Sequence, residues 1–150
     1  GCTVESSKGH GLARKYLADY LEGEKDALAE GRDSDNAFSL ENYTILKLEA
    51  PKEGLSKLTV RPKKPGSFYR SEVFLFVNPS GEVVRSEGKA KSPSSFLSNP
   101  SAYTEFRQVA GIRMPIYFRS TGRIPLLGFA SYTFIMTYDY RSVNGVEIHK

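Results

Sequence analysis

Apolar and polar positions change their period along the chain. Over residues 11–30 the apolar side chains Leu12, Ala13, Tyr16, Leu17, Tyr20, Leu21, Ala27 and Leu28 recur at spacings of three and four. That spacing puts them on one face of a helix, with Arg14, Lys15, Asp19, Glu22 and Asp26 largely elsewhere. Gly31 is placed to cap such a helix, because glycine enters the left-handed region without a Cβ penalty. Residues 31–36 then read as a polar loop.

Beyond that loop the period falls to two. Phe38 to Ala50 reads as a first strand, with Leu46, Leu48 and Ala50 alternating with Lys47 and Glu49. Pro51 to Gly54 is a turn, and Leu55 to Pro62 a second strand. Val73 to Val77 is apolar on both faces, which predicts a covered central strand. Asn78-Pro79-Ser80-Gly81 turns it into a hairpin with residues 82–85. Residues 86–102 are rich in Ser, Lys, Pro and Gly and read as a loop, with a short helical turn over 100–107. Ile112, Met114, Ile116 and Phe118 line one face of a further strand. Ala130 to Arg141 puts Ala130, Tyr132, Phe134, Met136, Tyr138 and Tyr140 on one side. Asn144-Gly145 is a type I′ turn signal that folds Val146–Ile148 back. Residues 106–112 and 140–146 echo each other as aromatic, Arg, polar, Val, small or polar, Gly, β-branched, the pattern of a repeated strand–turn–strand.

The expected fold is therefore α+β. An N-terminal helix packs on a curved, mainly antiparallel sheet of about six or seven strands, satisfying both apolar surfaces. A closed barrel or a two-layer sandwich is the alternative. Residues 1–10 are expected to be a flexible lead-in, and 11–150 one domain. No run approaches the roughly 18 apolar residues that a spanning helix needs.

The sequence Val73-Phe74-Leu75-Phe76-Val77-Asn78-Pro79-Ser80-Gly81-Glu82-Val83-Val84 resembles the strand–turn–strand opening of the energy-transducing periplasmic C-terminal domains. Met114-Pro115-Ile116-Tyr117-Phe118 is similar to their closing strand. The strand expected at 130–141 has no counterpart in that family, and neither a residue role nor a function follows from the resemblance.

Charge changes this picture more than composition does. The net charge is +4 overall, but residues 1–60 carry 8 basic and 11 acidic side chains, and residues 61–150 carry 13 and 6. The second part is the one expected to meet an anionic partner. Its candidate surface is Arg61, Lys63, Lys64, Arg70, Arg107, Arg113, Arg119 and Arg123. The partner expected there is an acidic protein or an anionic lipid. Tyr69, Tyr117 and Phe118 lie nearby in sequence, where rings could stack on bases, but no known binding motif accompanies them, so nucleic acid is the less expected partner.

Catalytic chemistry finds little purchase. The two histidines, His10 and His149, lie near the chain ends, and Cys2 is the single cysteine. That excludes an intrachain disulfide and leaves no set of four Cys or His ligands for structural zinc. Phosphate loops, dinucleotide motifs and Gly-x-Ser-x-Gly are absent. We expect no enzyme, no metal and no cofactor. Gly1-Cys2 is the candidate lipid-attachment site. A bacterial lipoprotein would carry its lipid on Cys2, which places the chain in the envelope or periplasm. An N-acylated eukaryotic or viral protein would carry myristate on Gly1 and palmitate on Cys2, at the cytoplasmic face of a membrane. The leading expectation is a binding or envelope-assembly module. A third reading is a small apolar-ligand binder whose cavity or core is lined by Tyr132, Phe134, Met136 and Tyr138.

Overall fold

The computed structural model describes residues 38–64, 69–90, 98–123, 131–143 and 145–148. The chain divides into two units, Gly1–Asn42 and Tyr43–Lys150. In the first, the described residues 38–42 form a turn in which the Asn42 N–H donates to the Ser39 carbonyl at 3.2 Å.

The second unit is a meander. Strands β1 (Tyr43–Lys52), β2 (Leu55–Pro62), β3 (Tyr69–Val77), β4 (Val83–Ala90), β5 (Ser98–Val109), β6 (Ile112–Arg123) and β7 (Ser131–Thr137) pair in sequence order. Every pairing is antiparallel. A separate two-residue pair, β8 (Ser142–Val143) with β9 (Val146–Glu147), ends the described chain. The α+β expectation is corrected: among the described residues the structure is all β, an open seven-stranded sheet with no helix. The helix expected over 11–30 lies outside the described residues, as does the lead-in 1–10. Nor do the described strands close into a barrel, since β1 and β7 are the edges of the sheet and do not pair with each other.

Turn chemistry explains the meander. Glu53 and Gly54 have φ of 54° and 79°, and Ala110 and Gly111 have 50° and 76°. Positive φ at both central residues is what a type I′ turn requires, and its twist matches that of the flanking strands. Lys52 thus faces Leu55, and Val109 faces Ile112. In the stretch 140–146 that echoes 106–112, Val143 likewise faces Val146, and Gly145 has a φ of 80°. Between β3 and β4 the Gly81 N–H donates to the Asn78 carbonyl at 2.9 Å. The Asn78 side chain accepts from the Glu82 N–H and donates to its carboxylate, both at 2.9 Å.

Prolines sit where the ladder slips. Pro51 falls in the shift between Glu49 and Lys52, Pro100 in that between Ser98 and Ser101, and Pro115 beside that between Glu105 and Phe106. A residue without an N–H is tolerated at such irregularities and not in a regular central ladder.

Alternation sorts the side chains into two faces. Val60, Val73, Gly88, Ala102 and Ser120 lie in register across β2 to β6, and so do Leu58, Leu75, Ser86, Thr104 and Phe118. Most of these are buried, and they make this the packed face. Its centre is built of small residues under large rings. A Cβ on Gly88 would lie 2.8 Å from the Tyr69 ring, and one on Gly122 would lie 2.6 Å from the Tyr132 ring. Each glycine lets an aromatic ring lie flat on the sheet and cover its backbone. The Tyr69 hydroxyl then reaches Ser86 Oγ at 2.9 Å.

Two expectations fail here for one reason. The loop over 86–102 gives way to strand through Ala90 and again from Ser98, and the helical turn over 100–107 is part of β5. Ser86, Gly88, Ala90 and Ala102 have weak strand propensity as isolated residues. They are strand here because the packed face needs small side chains beneath Tyr69.

Candidate functional site

The opposite face carries charge and rings together. Lys57 Nζ lies 4.2 Å from the Phe74 ring centre, the Arg85 guanidinium 3.6 Å from that of Phe76, and the Arg119 guanidinium 5.1 Å from that of Tyr103. Each cation sits over a ring face, where the ring quadrupole attracts it. Tyr103 meets Tyr117 edge-on at 5.9 Å. Its hydroxyl donates to the Glu105 carboxylate. Burial, then that hydrogen bond and the Glu105 charge, raise the Tyr103 hydroxyl above its ordinary range, with Arg85 opposing.

This face holds a groove of about 1140 Å³. Among the described residues its cations are Arg61, Lys63, Lys64, Arg70, Lys89 and Arg119, six against the two carboxylates Glu72 and Glu87. Phe74, Tyr103 and Tyr69 supply rings, and Pro62, Ser71, Gly88, Ser101, Ala102 and Thr121 are the other described residues that line it. The groove crosses the sheet from β2 to β6. At about 4.8 Å per strand that is about 19 Å. Within it Arg61 donates to Glu72 at 2.9 Å, and Lys89 Nζ donates to Ser101 Oγ at 2.9 Å. Lys89 and Arg119 are exposed, and so is Arg61. An ammonium has three donors, so Lys89 keeps capacity for a ligand acceptor beyond its serine.

Of the eight cations read from sequence, the groove gathers Arg61, Lys63, Lys64, Arg70 and Arg119. The other three lie elsewhere. Arg107 is exposed on β5 opposite Met114. Arg113 lies 5.6 Å from the Phe106 ring centre, close enough to Glu82 to act on its charge. Arg123 ends β6 opposite Ser131. Sequence reasoning missed Lys89, Glu72, Glu87, Phe74 and Tyr103. For Glu87 and Lys89 the signal was the alternation Arg85-Glu87-Lys89 against Ser86-Gly88-Ala90, hidden by the loop reading of that segment.

Tyr132, Phe134 and Met136 share the packed face of β7, and Tyr138 follows them in the same alternation. All four are half-buried, and none lines the groove. Phe134 meets Phe118 edge-on at 6.3 Å, so these residues border the core. Tyr138 stacks on Tyr140 at 6.2 Å, and the Tyr140 hydroxyl donates to the Pro115 carbonyl at 2.6 Å. Gly1 and Cys2 lie outside the described residues, as do His10 and His149. Among the described residues no group of three or more His, Cys, Asp or Glu is placed to hold a metal, and no helix is long and apolar enough to cross a membrane. No family model, no curated protein and no solved structure matches the chain.

Proposed function

We propose that the chain is a non-enzymatic binding module whose sheet groove takes an extended acidic segment of a partner protein. The observation that carries this reading is the six-to-two excess of cations among the described residues that line one elongated groove. Its volume, about 1140 Å³, is above the range of about 300–1,000 Å³ usual for small-molecule sites. Six of the described residues that line it are cations, which a small apolar ligand would leave without a counter-charge. Both points favour a polymeric anion over the small apolar ligand considered from sequence.

Among polymeric anions, the two carboxylates favour a polypeptide. Glu72 and Glu87 repel a phosphate backbone, yet a peptide brings N–H donors for them as well as carboxylates for the cations. A flat bilayer surface does not enter a groove. About 19 Å accommodates about six extended residues at about 3.3 Å each.

The test is fluorescence anisotropy of a labelled oligo-glutamate peptide with the full chain. Lys89→Glu/Arg119→Glu is compared with Arg107→Glu/Arg123→Glu, which changes net charge equally outside the groove. The groove pair is expected to weaken binding more than about tenfold, because like charges then meet across the interface, and the control pair only slightly. Affinity should fall with added salt. Equal loss in both pairs would reduce the effect to net charge and overturn the site. Tighter binding to oligothymidine, or to phosphatidylglycerol vesicles, would overturn the ligand class.

A further inference from the structure

Among the described strands β1 and β7 are the two edges of the sheet, and they are built differently. Edge β1 shows exposed Ile45, Leu46 and Leu48, but its backbone is guarded. Its ladder slips twice, between Ile45 and Lys47 and between Glu49 and Lys52, and it carries Lys47, Glu49, Pro51 and Lys52. Bulges, charges and proline are the devices by which sheets prevent edge-to-edge pairing. Edge β7, Ser131-Tyr132-Thr133-Phe134-Ile135-Met136-Thr137, has none of them. Its pairing with β6 runs through all seven residues without a slip. It holds no charge, no proline and no glycine, and its residues are mostly β-branched or aromatic. Among the described residues no strand pairs with its outer side.

We infer that β7 is a homodimer edge, pairing antiparallel with β7 of a second copy of this chain. The neutral strand fits itself better than it fits a charged partner, since no like charges meet. The register follows from the ladder. The Tyr138 N–H donates to the Ile116 carbonyl at 3.1 Å, so Tyr138 points its backbone groups at β6. Alternation then points those of Phe134 and Met136 inward and those of Thr133 and Ile135 outward. Two outward-facing antiparallel copies mate fully when Thr133 of one faces Ile135 of the other. The two-fold axis then passes through Phe134. Ser131 faces Thr137 at both ends, so all seven residues are used. Ile135, 55 % exposed in the single chain, is covered by the second copy's Thr133. The contact is isologous and closes after two copies.

Sedimentation velocity of the full chain, from micromolar to sub-millimolar concentration, tests this. A concentration-dependent dimer is expected. Ile135→Pro removes one outward N–H without touching the β6 ladder, and Ile135→Lys sets a cation in the seam. Each should raise the dimer dissociation constant at least about tenfold. Leu48→Lys on the other edge should leave it unchanged. Amide exchange gives an independent readout, because protection of Thr133 and Ile135 should rise with protein concentration. A monomer at every concentration would overturn the inference. So would a dimer that survives both Ile135 variants or is broken by Leu48→Lys.

Discussion

Removing one hydroxyl tests how the packed face is held together. Tyr69 is 5 % exposed, lies over Gly88 and bonds Ser86. Burial pushes its hydroxyl up to about 12, with hydrogen bonds from Ser86 and Thr104 offsetting part of the effect. The ordinary value is about 10. Below pH 10 the hydroxyl is protonated in both the folded and the unfolded chain, and Tyr69 contributes its full stability. Between pH 10 and 12 the unfolded chain releases the proton while the folded chain retains it. The folded state then binds more protons, so stability falls as pH rises. At about 1.36 kcal/mol per unit, the loss by pH 12 is about 2 kcal/mol. Tyr69→Phe should cost about 1 kcal/mol at pH 8, the net worth of the lost hydrogen bond. It is exempt from the alkaline loss. Urea unfolding of both proteins at closely spaced pH values should therefore show two curves that cross near about pH 11. Parallel curves across pH 8–12 would refute the claim that this hydroxyl is buried and protonated in the folded state.

The remaining predictions address the turns and the glycines. Gly88→Ala should destabilise by about 1–3 kcal/mol in urea unfolding, because a Cβ would overlap the Tyr69 ring, with the Glu72 carbonyl at 3.4 Å behind it. Gly122→Ala should cost less, because its neighbour Tyr132 is half-buried and better able to shift. Ala110→Asn should raise thermal stability by about 0.5–1 kcal/mol, because Ala110 holds a φ of 50° that asparagine tolerates better. Hydrogen bonds from Asn78 and then Gln108, with the Arg113 charge, hold the Glu82 carboxyl below its ordinary value. Its stabilisation is present above the ordinary carboxylate range and is lost as pH falls through the lowered value. Glu82→Gln should therefore flatten the acid limb of the stability profile, and an unchanged limb would refute that role.

The legible parts of the fold were those whose signal is local. Residues 73–77 read as a central strand from their apolar run, and the structure pairs them on both sides, with β2 and with β4. The Ile112-Met114-Ile116-Phe118 and Tyr132-Phe134-Met136 alternations likewise fall in β6 and β7. What failed was non-local. Nothing within 86–107 announces that Tyr69, nearly twenty residues earlier, will lie over Gly88 and turn a run of small residues into two strands. Part of the groove was legible as charge, since Arg61, Lys63 and Lys64 cluster in sequence. The remainder needed the register. Glu87 faces Tyr103 and Tyr103 faces Arg119 only once β4, β5 and β6 are aligned. The α part of the expected class rested on residues 11–30, which lie outside the described residues; the class is corrected to all β among the described residues, where no helix occurs.

The most direct test of the central claim locates the ligand on the sheet. Backbone amide shifts of the isotopically labelled full chain would be followed during titration with the oligo-glutamate peptide. The groove reading predicts saturable shifts at Arg61, Glu72, Glu87, Lys89, Tyr103 and Arg119, spanning β2 to β6, with Arg107 and Arg123 unmoved. Shifts spread evenly over all exposed cations, or confined to residues outside the groove, would contradict it.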